Sequence, residues 1–260
     1  MKANERDWLA EPSMSHHERD IDRKDGDGTD RTYVVRLING SPYKRLIAVD
    51  GNPLPPRREQ QEIQKEKREI AHRRSESSED RESRIGSYQK DRDQDHLLMT
   101  QMAVAFNFHI VGEETISGHP TYVLDADPKL DYKPVNRDAK VLTGMRGKLW
   151  VDKEQFHWVK VEADVVKAVT FGGFLAKVGS GTRFMLEKAP VDANVWEPVR
   201  FEERVRASVL FWSRNSTTEQ TFSDYQPGGA ISDLFRRRVP PLEVKLQRKE
   251  AEQILQRDYR

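Results

Sequence analysis

From Trp158 to Val165 apolar residues occupy every second position: Val159, Val161, Ala163 and Val165 alternate with Trp158, Lys160, Glu162 and Asp164. Period two is the signature of a half-buried antiparallel strand. Lys148–Asp152 precedes it across a short polar turn at Asp152–Gln155, so the spacing predicts a hairpin. The same alternation runs from Val195 to Trp212. There Val199, Phe201, Val205, Ala207, Val209 and Phe211 line one face, and Arg200, Glu202, Arg204, Arg206 and Ser208 the other. A strand this long is expected to bend or to carry a bulge. Thr217–Tyr225 is predicted to pair with it, and Thr182–Glu187 adds another strand.

Upstream, Thr32–Ile38 and Tyr43–Val49 are strands separated by Asn39-Gly40, a strong hairpin signal. Asp50-Gly51 closes the second arm, and Ser13–Ile21 reads as a further strand. The Asp-Gly pairs of Asp22–Asp30 hint at a calcium loop, but no frame supplies the ligand spacing of an EF-hand, and turn chemistry accounts for them. Asn107–Val111 and Thr121–Ala126 form a second strand pair, and Asp127–Leu142 is an irregular connection.

Between these strand runs the period changes. Pro55-Pro56 opens a helical insertion. Its first helix, Arg57–Arg74, has only Ile63 and Ile70 as an apolar stripe, too thin for deep burial. The second, Glu79–Phe106, follows a Ser77-x-x-Asp80 cap and becomes apolar late, at Leu98, Met99, Met102 and Phe106. The fold class that follows is α+β: a strongly curved antiparallel sheet of roughly ten strands, an open half-barrel, with insertion 55–106 as a lid. After Gly228-Gly229 the texture turns polar, with Arg236-Arg237-Arg238 and a charged helical pattern from Leu242 to Tyr259. Residues 227–260 are therefore expected to be a tail appended to a domain spanning 1–226.

Composition changes this picture little. Charged residues make up 33% of the chain, yet they concentrate in Arg57–Asp95, and the formal net charge is only +1. So balanced a charge gives no long-range field for nucleic acid. With no cysteine there is no disulfide, thiolate nucleophile or cysteine-based zinc site. The seven histidines are scattered; His109, His119 and His157 fall on different strands, without metal-ligand spacing. No HExxH, GxSxG or Walker loop is present, and no carboxylate pair stands out as an acid and base. The expectation is a protein that is not an enzyme and needs no cofactor or metal. The first twenty residues lack the apolar core of a signal peptide, and no run reaches transmembrane length.

The hairpin GKLWVDKEQFHWVKVEADVV, a strand ending in WVDK followed by one of the form xVxVE, resembles the repeating hairpin of the LolA/LolB-like periplasmic lipoprotein-carrier superfamily. GEETISGHPTYVLDADPK (Gly112–Lys129) is similar to the strand pair before it in envelope proteins of that kind. The resemblance covers roughly Tyr33 to Tyr225 and rests on the texture and order of strands. It implies an apolar cavity between sheet and lid, used for non-catalytic carriage of a lipid or an acylated protein. The cavity would be lined by Val159, Val161, Phe201, Val205 and Val209 on the sheet and by Leu98, Met102 and Phe106 on the lid. It also implies a periplasmic or envelope location, at most peripheral to a membrane, and hence a start that is truncated or misplaced. The alternative is a protein-interaction or sensor module, with an envelope protein as partner, in which the same sheet is a scaffold without a cavity.

Overall fold

A computed structural model describes residues 2–11, 14–24, 27–171, 176–192, 194–209 and 212–227. The chain divides into two units, Met1–Gly228 and Gly229–Arg260. The polar tail expected from 227 onward lies outside the described residues except for Pro227.

The first unit is an α+β fold built on one open, curved antiparallel sheet. Four strands come first: β1 (Met14–Lys24), β2 (Asp27–Ile38), β3 (Ser41–Val49) and the short β4 (Asn52–Pro53). They form the expected meander, and the connections after β2 and after β3 are tight turns. Asn39 and Gly40 adopt φ of 46° and 95°, Asp50 and Gly51 φ of 52° and 73°. These left-handed pairs match the twist of a two-residue hairpin. Then come two helices, α2 (Pro56–Ser75) and α3 (Ser78–Ala105). The Ser77 hydroxyl accepts from Asp80 N at 3.1 Å and caps α3.

α3 runs without a loop into β5 (Phe106–Ile116), which pairs with β6 (His119–Pro128). A 3-10 helix, Asp138–Gly144, leads into the hairpin of β7 (Met145–Asp152) and β8 (Trp158–Val165). The short β9 (Val169–Phe171) and β10 (Ala176–Val178) follow, then β11 (Arg183–Asp192), β12 (Val195–Val209) and β13 (Trp212–Pro227). Among the described residues the sheet has 13 strands, more than expected from turn spacing, in the main order β4-β3-β2-β1-β13-β12-β11-β8-β7-β6-β5. β10 continues along the same side of β12 beyond the end of β11. β4 and β5 are left as edges, so the sheet is not closed into a barrel.

A helix that no periodicity announced precedes the sheet: α1, Lys2–Ala10. It packs on β12 and against α3. Both α1 and α2 dock through polar groups. On α2 the buried residues are Glu62, Glu66 and Arg73, while Ile63 and Ile70 are only half-buried. Arg73 is held by Glu69 Oε1 at 2.5 Å and donates to Ile38 O at 2.9 Å and Ser41 O at 2.8 Å. Glu66 bridges Arg36 and Arg45, at 3.2 and 3.0 Å.

Candidate functional site

Two sites stand out on this scaffold. The first is the seam beneath the last turns of α3. Ala105 and Phe106 are buried with Ala126, Leu142, Met145 and Val165, and Leu98 and Met102 pack against that cluster. The connection after β6 closes one side: Tyr132 donates its hydroxyl to Gln101 Oε1 at 2.9 Å, and Lys129 N donates to Ala105 O at 2.8 Å. The free space left in the seam is about 40 Å³, bordered by Met102, Phe106, Phe108, Leu149 and Val161 among others. Pockets for drug-sized ligands hold roughly 300–1,000 Å³, so sheet and lid are closed onto each other. At the margin apolar side chains stay in water: Val104 on α3, and Phe108, Ile110 (66% exposed) and Val111 on the edge strand β5.

The eight residues expected to line a cavity do not all meet there. Leu98, Met102 and Phe106 pack together over the seam, and Val161 borders its free space. Val159 joins Val123, Trp150 and Trp196 in a separate cluster. A bulge between Trp150 and Val151 in the β7–β8 register explains the split, because it interrupts the period-two alternation at Val159. Phe201 lies across from Leu186 and Gln220, and Val205 borders a solvent-filled groove elsewhere. Val209 ends β12, and its side chain lies outside the described residues.

The second site is a buried polar cluster under α1. Asp7 is 1% exposed and His157 0%. Asp7 Oδ1 accepts from Trp196 N at 3.0 Å. Its Oδ2 accepts from His157 Nδ1 at 2.9 Å and Lys188 Nζ at 3.0 Å. Asn4 Oδ1 accepts from Trp158 N at 3.0 Å. Trp196 stacks on His157 with ring centres 5.3 Å apart, and His119 meets the same indole edge-on at 4.7 Å. On the outer side of α1 the Trp8 ring packs against His96 and the Arg92 guanidinium of α3, and Arg92 donates to Trp8 O.

Beside this cluster Glu197 is also buried, and its carboxyl is pushed up to about 8, first by burial and then by the neighbouring Glu11 and Asp7 carboxylates. Lys188 and Arg92 oppose that shift. An Asp-His pair with a free Nε2 has the outline of a proton-transfer dyad. Sealed at 0% exposure, however, the imidazole is out of reach of any solvent-borne substrate in this conformation. What the cluster does is hold α1 to β8, β11 and β12. Two of the three histidines that sequence spacing kept apart thus share one tryptophan. Among the described residues no group of three or more His, Asp or Glu is arranged to hold a metal ion.

No family model matches the chain, and no curated protein does. Among solved structures the chain is similar to a LolA superfamily protein from Nitrosomonas europaea, at 11% identity and TM-score 0.31, over 87% of this chain and 95% of that one. It is also similar to an outer-membrane lipoprotein-sorting protein domain from Vibrio parahaemolyticus, at 11% identity and TM-score 0.35, over 85% and 88%. A third match is the MucA/MucB complex of Pseudomonas aeruginosa, at 11% identity and TM-score 0.24, over 88% and 99%. At these TM-scores the matches carry no argument about function, and the fold class stands on the strand order described above. Among the described residues no helix is long and apolar enough to cross a membrane.

Proposed function

We propose that this protein binds an apolar ligand without catalysis, a lipid or the acyl chain of a modified protein, between α3 and strands β6–β8. The observation that carries this reading is how thinly the lid is attached. Of the 28 residues of α3 only Arg92 and Ala105 are buried, although the surface beneath its last turns is apolar. A segment with so little buried apolar area opens at low free energy. Opening α3 uncovers Phe106, Leu142, Met145 and Val165, and each ligand CH₂ placed there contributes about 0.8 kcal/mol. The closed seam of about 40 Å³ is then the unloaded state.

Leu98, Met102 and Phe106 form the gate and Val161 the wall. Met102 suits the gate because its unbranched thioether repacks against ligands of different shape. Residues 1–226 are the binding domain, with 55–106 its insertion and 227–260 an appended segment, and the compartment that fits such cargo is the periplasm or cell envelope.

A second reading has its own support. β5 is an edge strand with Phe108, Ile110 and Val111 exposed, a surface suited to an added strand from a protein partner. A paired measurement separates the two: urea midpoint, and uptake of an environment-sensitive apolar dye, for wild type and Phe106→Ala. Ligand binding under the lid predicts dye uptake by the wild type that changes in the variant. No uptake by the wild type, together with a large loss of stability in Phe106→Ala, would leave Phe106 as plain core and favour the scaffold.

A further inference from the structure

At the end of the sheet where β1, β13 and β12 run side by side lies a solvent-filled groove of about 540 Å³, bordered by Arg23, Lys24, Arg204, Arg206, Asn215, Ser216 and Thr217. Its charge is laid out by the register. Arg23 faces Thr217, and Thr217 faces Arg204, so the two guanidinium-bearing positions share one face across three strands. Arg206 lies two residues further along that face, opposite Asn215. All four cations are exposed.

Many of the chain's other cations are paired, among them Arg19 with Asp30, Arg45 with Glu66 and Arg183 with Asp164. Among the described residues none of Arg23, Lys24, Arg204 and Arg206 has a carboxylate within 4.0 Å. Arg204 stands across from Arg183, whose charge is already balanced by Asp164 at 2.7 Å, so the three arginines on the groove face are left to meet an anion from outside.

We infer that the groove is a binding site for a phosphate-bearing ligand. Three guanidinium groups offer paired N–H donors that match the oxygens of a phosphate, and Thr217 and Asn215 on the same face add neutral donors. The volume is that of a small-ligand site. The site is formed by other residues than the seam under α3 and does not depend on ligand binding there.

The test uses the full chain and three probes, followed by calorimetry and flotation at low and physiological salt: sn-glycerol 1-phosphate, phosphatidylcholine vesicles with and without phosphatidylglycerol, and a single-stranded oligonucleotide. The variants are Arg204→Gln/Arg206→Gln and, as a control for lost charge, Arg57→Gln/Arg58→Gln on the exposed start of α2. The site predicts saturable binding of glycerol phosphate, of the phosphatidylglycerol vesicles, or of both. It also predicts at least a tenfold loss in the groove variant and none in the control. Binding of glycerol phosphate identifies a free phosphate compound as sufficient, and binding of vesicles alone identifies a lipid headgroup. Preference for the oligonucleotide, equal losses in both variants, or no binding to any probe would overturn the inference. The unfolding midpoint of each variant, expected to match the wild type because the replaced side chains are exposed, separates loss of the site from loss of the fold.

Discussion

Replacing Asp7 by alanine removes the acceptor on which α1, β8, β11 and β12 converge. Its carboxylate takes three hydrogen bonds, from Trp196 N, His157 Nδ1 and Lys188 Nζ, all between 2.9 and 3.0 Å. Breaking a buried ion pair by deleting one partner costs about 3–5 kcal/mol, and each buried donor left unpaired costs about 1–3 kcal/mol. The three donors share one carboxylate, so these contributions overlap and do not add. The expected loss is about 4 kcal/mol. Asp7→Asn retains an amide oxygen for Trp196 N, but its amide nitrogen replaces the oxygen that accepts from His157 Nδ1 and Lys188 Nζ, so its loss should approach that of Asp7→Ala. Adding Lys188→Met to Asp7→Ala should restore part of the loss by removing the stranded cation. Urea unfolding followed by tryptophan fluorescence is the assay, since Trp8, Trp158 and Trp196 all border the cluster. A loss below about 0.5 kcal/mol for Asp7→Ala, the size of an ordinary surface change, would refute the claim that this carboxylate anchors α1.

Further expectations follow from the same geometry. Glu197 titrates near 8 in the folded chain against 4.5 as its ordinary value, so the folded state binds the extra proton between those values. Stability contributed at this position is therefore highest below pH 4.5 and is lost as pH rises toward 8; Glu197→Gln should flatten that slope in unfolding measured from pH 5 to 9. Phe106→Ala should lower stability by about 3 kcal/mol if the side chain is ordinary core, and by less if it is a gate, as read from urea midpoints. Gly147→Ala should destabilise by about 1–3 kcal/mol in the same assay, because a Cβ there collides with Glu162 O across the β7–β8 pair and the main chain must shift. Ile110→Lys, on the exposed edge of β5, should leave the thermal midpoint unchanged while abolishing any strand-adding partner detected by cross-linking.

How far the fold could be read from residues depended on what buries each element. Strands declared themselves, because period two and the Asn-Gly and Asp-Gly turns are local chemistry with one structural meaning. Insertion 55–106 was legible by its change of period and by the Ser77 cap. α1 was not, because KANERDWLA shows no apolar stripe; what it buries is Ala3, Asn4 and Asp7, with Trp8 packed on α3. Its partners lie 150 or more residues away, at His157, Lys188 and Trp196, so no local window contains the signal. α2 is a milder case: its thin apolar stripe was read correctly as shallow, but its attachment through Arg73 and Glu66 depends on acceptors and cations of β2 and β3. Among the candidate site residues, Leu98, Met102 and Phe106 were grouped by helical spacing; α3 carries the first two, and Phe106, expected as the last residue of the helix, is the first of β5 and meets them in one cluster. Val159 and Val161 were grouped by strand spacing, and a bulge parts them, since an inserted residue leaves the composition of a strand unchanged while breaking its alternation. A sequence-level hint did exist for the buried cluster: a histidine at the end of the WVDK turn, beside Trp158, in a hairpin otherwise closed by charged residues.

The proposal that α3 is a lid over an apolar ligand is tested most directly by native mass spectrometry of the full chain purified from its own host under non-denaturing conditions. The account predicts a second mass series displaced by that of a lipid or acyl-bearing species, abolished by a charge placed in the gate with Met102→Lys while the unfolding midpoint stays within a few degrees. A single series at the mass of the bare chain, together with no uptake when the purified protein is offered phospholipid and an acylated peptide, would contradict it.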